Sequence, residues 1–269
     1  MIGRSCQPGC QLTPQSPLRG LWFSVGIIGA WAASLAVLLP LDRASLPPAL
    51  IILAVLARTF LQTGLFIVAH DAMHGSLLPS SQRWNDRLGR LALGLYACLP
   101  WESCRHNHQR HHLAPASQSD PDHHDGHHRS AAAWYVRFMA KYLSPAQMAS
   151  LLGLWLISAL LLDRLTSQPL ANLLLFWILP LLLSSIQLFL FGTYLPHREG
   201  AATAVDRHHS RSLPLTPALS LLACYHFGYH WEHHEDPQLP WFQLPERRRQ
   251  FITDHIVDPT GLALTKTSR

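Results

Sequence analysis

The sequence predicts an all-α integral membrane protein: a four-helix bundle carrying a cytoplasmic histidine-rich helical cap. Three observations predict it. Only 14% of the 269 residues are charged, against 48% hydrophobic, and the apolar residues gather into runs long enough to cross a bilayer. Histidine is the compositional outlier, with 18 copies. The basic residues flank the apolar runs instead of forming a stripe, so the net charge of +5 reads as a membrane orientation signal and not as a nucleic-acid surface.

Residues 1–20 hold Pro8, Pro14 and Pro17 with Arg4 and Arg19, and read as a flexible polar arm. Leu21 to Pro40 carries no charge and has the ~20-residue length of a transmembrane helix. A cleaved signal peptide fits poorly, because its apolar region is about 7–15 residues long. A second run, Ala49 to Ala69, is interrupted by Arg58. A mid-membrane arginine costs roughly 2.5–3.5 kcal/mol on insertion scales, so Arg58 is expected to face the bundle interior, or else to snorkel from a span that starts later.

Leu88 to Trp101 is apolar but too short to span and suits an interfacial helix or half-helix; Leu213 to Cys224, with Pro214 and Pro217, looks the same. Two further spans cover about Gln147 to Leu162 and Leu170 to Pro196, the latter with Pro180 inside it and expected to kink or tilt. The main membrane domain thus runs over residues 21–245, and 246–269 form a basic C-terminal tail. Four spans place both termini and the 70–146 loop on one side, leaving only Arg43 and Arg164 on the other. The positive-inside rule makes the crowded side cytoplasmic.

The five cysteines (Cys6, Cys10, Cys98, Cys104 and Cys224) are an odd number in a long chain and do not read as a disulfide framework. Cys6 and Cys10 have loose metal-ligand spacing, but a site needs about four ligands and no second pair exists.

The four-span topology collects the histidines at one membrane face. His70 and His74 stand four apart at the end of span two, on one helical face. His108, His111 and His112 form a His-x-x-His-His cluster in the loop, and the same arrangement recurs as His230, His233 and His234. His197 lies one residue beyond span four. One such pair alone is a weak signal, and one cluster alone reads equally well as a solvated surface. Three together are expected to bind metal, since crowded imidazoles repel one another when protonated and ligation keeps them neutral. Eight or nine nitrogens exceed what a single zinc needs and supply two metals with four or five ligands each. Donor softness alone leaves iron, zinc, copper and nickel open.

These stretches resemble the membrane fatty-acid desaturase and hydroxylase superfamily, and within it the bacterial β-carotene ketolases. The matching segments are His70-Asp-Ala-Met-His-Gly75, the Asp120-Pro-Asp122 element with His124, Phe191-Gly-Thr-Tyr-Leu-Pro-His-Arg198, His226-Phe-Gly-Tyr-His-Trp-Glu-His-His234, and Pro240-Trp-Phe-Gln-Leu-Pro245. One departure is Pro115-Ala-Ser, where the ketolases have Pro-Gly-Thr. The resemblance implies two non-haem iron ions held by His70, His74, His108, His111, His112, His197, His230, His233 and His234. It also implies O₂ as cosubstrate, electrons from a ferredoxin-type donor, and a bacterial inner-membrane location. The expected reaction is oxidation of the ring methylene at C4 of β-carotene by two hydroxylations and loss of water, giving echinenone and then canthaxanthin. His124 and His226 are reserve ligands. Asp71, Asp122 and Glu232 are candidate acceptors for imidazole N–H groups, with ordinary loop or cap carboxylates as the plainer reading. Trp241 and Phe242 are candidate substrate-lining residues, or interfacial anchors. His106, His123, His127, His128, His208, His209 and His255 are expected to be bystanders.

The same boxes would serve a β-carotene hydroxylase or a fatty-acyl desaturase. A membrane metal transporter would need ionisable residues deep in the spans; apart from Arg58, whose charge is wrong for a cation path, the spans lack them.

Overall fold

The computed structural model describes residues 18–43, 46–124, 126, 130–198 and 207–256. The arm up to residue 17 with Cys6 and Cys10, His127, His128, the side chain of His255 and the tail beyond 256 lie outside the described residues. Every regular element among the described residues is helical. Four of the helices are long and apolar enough to cross a membrane, as the hydrophobic runs predict.

Helix α1 (Arg19–Leu38) buries Gly20, Ser24, Ile27, Trp31 and Leu35, a stripe at three- and four-residue intervals, and turns Trp22, Val25 and Val37 outward. Helix α2 (Pro48–Met73) starts on a proline at its first position, where the missing N–H costs nothing. Its 26 residues make about 39 Å at 1.5 Å per residue. That exceeds the ~30 Å hydrocarbon thickness, so its last turns can project past it. From Gln62 onward nearly every α2 side chain is buried, because α1, α3 (Gln82–Ala97) and the fourth span close around it.

Polar side chains join the spans. Trp31 Nε1 donates to Gln62 Oε1 at 2.7 Å, Gln62 Nε2 donates to the Tyr96 carbonyl at 2.6 Å, and the Thr63 hydroxyl meets that of Ser184 at 2.8 Å. Such pairs hold helices together where lipid removes the hydrophobic drive between them. Arg58 is fully buried and faces the interior, as expected for an arginine at that depth.

The expected interfacial segments are helical over shifted bounds. Residues 88–101 belong to two helices, α3 and α4 (Trp101–Leu113), separated at Cys98, which adopts φ 54°. A short helix, α5 (Ala131–Tyr142), and the third span, α6 (Pro145–Leu162), follow, with Ser130 and Ser144 capping their N-termini. The fourth span, α7 (Pro169–His197), contains two π-helical turns, Leu174–Ile178 and Leu190–Tyr194. The irregularity expected at Pro180 takes this form. Each π turn lies just before a proline, Pro180 or Pro196, whose ring crowds the carbonyl four residues back. Beyond α7, only Pro217–Cys224 of the 213–224 stretch is helical (α8), with its start at Pro217. Tyr225 and His226 then adopt φ 47° and 63° and turn the chain into α9 (His230–Glu235). Helix α10 (Leu244–Ile256) runs across residue 245 and is fastened by Arg248 to Glu232 at 2.7 Å and by Arg247 to Asp236.

Candidate metal centre

Four elements deliver nine imidazoles to one end of the bundle. His70 sits in the last turn of α2 and His74 at its C-cap. His108, His111 and His112 share a face of α4, His197 ends α7, and His230, His233 and His234 line α9. The i, i+3, i+4 spacing makes each helix present its rings in one direction.

The rings form two adjoining groups. His70, His74, His108, His112 and His233 make one; His111, His197, His230 and His234 make the other, each with ligand atoms within 4.8 Å of one another. His112 and His234, from different groups, stack at 4.2 Å between centroids. Inside the groups the Nε2 atoms face each other: His74 with His108 at 2.7 Å, His70 with His233 at 3.2 Å, His112 with His233 at 3.0 Å, His111 with His234 at 3.1 Å, and His197 with His230 at 3.0 Å.

The outward nitrogens explain this convergence. His111 Nδ1 lies 2.9 Å from Asp120 Oδ2, and His197 Nδ1 donates to the His209 carbonyl at 2.8 Å. Holding the proton on Nδ1 leaves the Nε2 lone pair facing inward. Lone pairs gathered this closely, without protons to share, fit a bound cation. Burial adds to this: it drives His108, His112, His230, His233 and His234 well below the ordinary imidazole value and His74 to about 3, with neighbouring histidines lowering them further. The rings are therefore neutral at physiological pH, the form that binds metal. His111 differs. Burial lowers it, but the Asp120 hydrogen bond and the charges of Asp120 and Asp122 outweigh burial and raise it.

The candidate carboxylates sort by partner. Asp71 Oδ1 stands 3.4 Å from His70 Nδ1, while its Oδ2 accepts from the Trp241 backbone N–H at 3.1 Å. Asp122 accepts from the Tyr142 hydroxyl at 2.6 Å and lies within reach of His111. Glu232 is fully buried but pairs with Arg248 and the Ser212 hydroxyl, so it fastens α10 to α9. Asp120, which the sequence reading quoted without assigning a role, is the carboxylate that grips a cluster histidine most closely. The His209 carbonyl was likewise missed; its one sequence signal was proximity to the His197 segment.

The reserve ligands stay apart from both groups. His124 packs against His123 and meets Trp134 edge-on, and His226 lies between Tyr229 and Trp241. Trp241 and Phe242 pack on Phe23 of α1, with centroids 5.3 and 4.9 Å away.

Across residues 45–257 the sequence matches the fatty acid desaturase family profile. The chain belongs to the fatty acid desaturase family. The family match begins before α2 and takes in all nine histidines, while α1 precedes it. The four apolar helices and this family membership make the chain a membrane protein, and the clustered histidines make its capped end a metal site. Among relatives of this desaturase-family chain is a β-carotene ketolase of Paracoccus sp. (strain N81106 / MBIC 01143), 42% identical over 90% of this chain and 95% of that one. A β-carotene ketolase of Paracoccus sp. (strain PC1) is 39% identical over 93% and 98%. A zeaxanthin 4-ketolase of Chlamydomonas reinhardtii is 38% identical over 85% of this chain and 51% of its own length.

Two openings reach the family's histidine site. A small cavity of about 50 Å³ touches His70, His108, His111 and His230 on the side of the bundle interior. His74 and His112 line a second, more open depression bordered by Gln82, Arg105, Gln109 and Gln238.

Proposed function

We propose that the chain is a carotenoid 4-ketolase, oxidising the C4 methylene of the β-ionone rings of β-carotene to a ketone, by way of echinenone to canthaxanthin. One observation carries the proposal: two β-carotene ketolases are 39–42% identical over 90% or more of this chain, a stretch that includes both histidine groups.

The proposed ligands are His70, His74, His108, His112 and His233 for one iron, and His111, His197, His230 and His234 for the other. An unactivated C–H bond yields to no acid, base or nucleophile, so two bound irons would supply the activation of O₂ that the reaction needs. Each hydroxylation consumes one O₂, two electrons and two protons, placing one oxygen on carbon and releasing the other as water. Two rounds at one carbon give a geminal diol, and loss of water gives the ketone.

The remaining roles belong to this chain. Asp120 and the His209 carbonyl hold the Nδ1 protons of His111 and His197, which fixes the Nε2 lone pairs toward the metals. Phe227, buried with its ring 4.6 Å from that of His70, covers the substrate side and keeps water from it. The depression beside His74 and His112 faces away from the apolar interior, and its Arg105 suits an acidic ferredoxin-type reductant. The loop and both termini are assigned to the cytoplasm on the positive-inside rule, and the bacterial inner membrane on the likeness to the bacterial ketolases. The N-terminal arm of residues 1–20, the main membrane domain of 21–245 and the basic tail of 246–269 are part of the same proposal.

The test is expression in bacteria that accumulate β-carotene, with pigment analysis by chromatography and mass spectrometry beside a His233→Ala control. Ketone absent from the control establishes substrate, reaction and dependence on the histidines. Hydroxylated carotenoid alone points to the related hydroxylase activity, and unchanged β-carotene in membranes that contain the protein rejects the ketolase reading.

A further inference from the structure

The small cavity at the histidines adjoins a larger one. The larger cavity, about 170 Å³, is lined by Tyr96, Ala97 and Leu99 of the α3 end, by Phe138, Met139 and Tyr142 of α5, by Met148, Leu151 and Trp155 of α6, and by Leu181, Leu182 and Leu188 of α7. Four residues line both cavities: Phe66, Phe138, Tyr142 and Leu188. They form a neck between the histidine end and the space under α6.

The cavity lies under α6, which is anchored at both ends. At its start Gln147 Nε2 donates to the Ala97 carbonyl, and at its finish Leu162 is buried. Along its length Leu152, Leu156, Ile157, Leu160 and Leu161 face outward. The side toward α3 and α7 brings Met148, Leu151 and Trp155 to the cavity wall. An apolar cavity of about 150 Å³ stays dry and accepts a benzene ring, so the volume under α6 suits one substituted six-membered ring.

We infer that the substrate's ring reaches the centre sideways from the bilayer, between α6 and α7, seating in the cavity under α6 before the neck of Phe66, Phe138, Tyr142 and Leu188 admits its edge. The ligand class is a membrane-dissolved polyene or hydrocarbon chain with a cyclic or otherwise compact apolar end. This assignment rests on the proposed oxidation of a membrane-dissolved substrate, and it replaces Trp241 and Phe242, which pack on α1, as the substrate-lining residues. Tyr142 is fixed in the neck by its hydrogen bond to Asp122, at 2.6 Å, so its ring cannot swing aside as a free aromatic would. Tyr142 and Phe138 therefore set which ring substituents pass.

The test fills the cavity without touching the histidines. In the full-length protein, Leu151→Trp and, independently, Met148→Trp are compared with Leu156→Trp, whose position faces outward, 62% exposed. Iron per chain and membrane abundance are measured alongside KM and turnover for β-carotene. At unchanged iron content, the two cavity variants are expected to lose at least tenfold in kcat/KM, and Leu156→Trp to keep wild-type values. Wild-type conversion in both cavity variants overturns the inference, as does an equal loss in Leu156→Trp. The outcome is separable from the ketolase reading: if the wild-type chain oxidises another lipid instead of β-carotene, the same three variants are assayed on that product.

Discussion

Arg58 Nε donates to the carbonyl oxygen of Phe176 at 2.9 Å, and Phe176 precedes Pro180 by four residues. In an α-helix the donor to that carbonyl would be residue 180, and proline has no N–H to give. The arginine on α2 thus serves a carbonyl that the proline on α7 leaves without its helical partner. Its Nη1 also reaches the Trp31 carbonyl at 2.8 Å and the Ser34 hydroxyl at 2.7 Å on α1, so one side chain ties three spans.

Arg58→Met is expected to melt well below the wild type in detergent. The buried Phe176 carbonyl loses the donor that stands in for its helical one, at about 1–3 kcal/mol, and removing a buried cation offsets only part of that. Arg58→Lys should rescue little, because a single ammonium cannot span three acceptors in a fixed fork. Thermal denaturation followed by circular dichroism checks both; a wild-type melting temperature for Arg58→Met would show that the ties contribute nothing.

His233 Nε2 stands beside both His70 and His112, so its removal opens the five-histidine group at its centre. On the proposed di-iron assignment, His233→Ala is expected to lower bound iron to half the wild-type content or less, with product falling by more than the 10–100-fold typical of outer partners. His124→Ala, outside both groups, should keep its iron and its product. Elemental analysis of the purified proteins decides, and equal iron in His233→Ala and the wild type would remove His233 from the ligand set.

Asp120→Asn keeps an oxygen near His111 Nδ1 but loses the charge that fixes the tautomer, and it disturbs the turn in which Asp120 also accepts from the backbone N–H groups of Ala116 and Asp122. A 10–100-fold loss of iron affinity is expected. Asp71→Asn should do less, because its contact with His70 is longer, 3.4 against 2.9 Å. Metal competition titrations rank the two; a larger loss in Asp71→Asn contradicts the assignment of Asp120.

Protonation of the cluster gives the pH dependence a definite sign. Burial holds His74 at about 3, against an ordinary 6.5, and puts His108, His112, His230, His233 and His234 well below 6.5 as well. Between those values the unfolded chain binds more protons than the folded one, so stability rises with pH and is lost as pH falls below about 6.5. Chelator-treated protein should therefore denature more readily at pH 5 than at pH 7.5. Iron release should steepen over the same interval, since each ligand must take up a proton to let go. Denaturant titrations at the two pH values test this, and equal midpoints would show that the rings are not held neutral.

The four spans and the nine histidines were legible because each rests on a local rule: run length for the helices, and i, i+3, i+4 spacing for the rings. The interior position of Arg58 followed from the cost of a lipid-exposed charge. What the sequence left hidden depends on long-range placement. Asp120 and Asp122 are interchangenable in spacing, and only the turn beginning at Ala116 brings the first against His111. Glu232 sits between cluster histidines in sequence, yet on a helix its side chain points away from theirs, toward Arg248. The α6 cavity is a gap between helices and has no motif. The π turns of α7 were legible only as a proline in a long span.

Gly192 and Phe227 provide a last test of how closely the centre is built. Gly192 lies in the second π turn of α7, and a Cβ placed there would come within 2.5 Å of Phe227 Cε1 and 2.6 Å of Cδ1. The Phe227 ring is buried and cannot retreat freely, because its other side meets His70 at 4.6 Å and His233 at 5.8 Å. Gly192→Ala should therefore push Phe227 toward the histidines, lowering product formation about tenfold, the scale of roughly 1–3 kcal/mol that overpacking costs. Phe227→Leu in the same chain removes the ring edge and should restore much of the loss, so that the two substitutions are strongly non-additive. Product analysis of the two single variants and the double variant completes the cycle; simple additivity would mean that the glycine serves the π turn and not the close approach of Phe227.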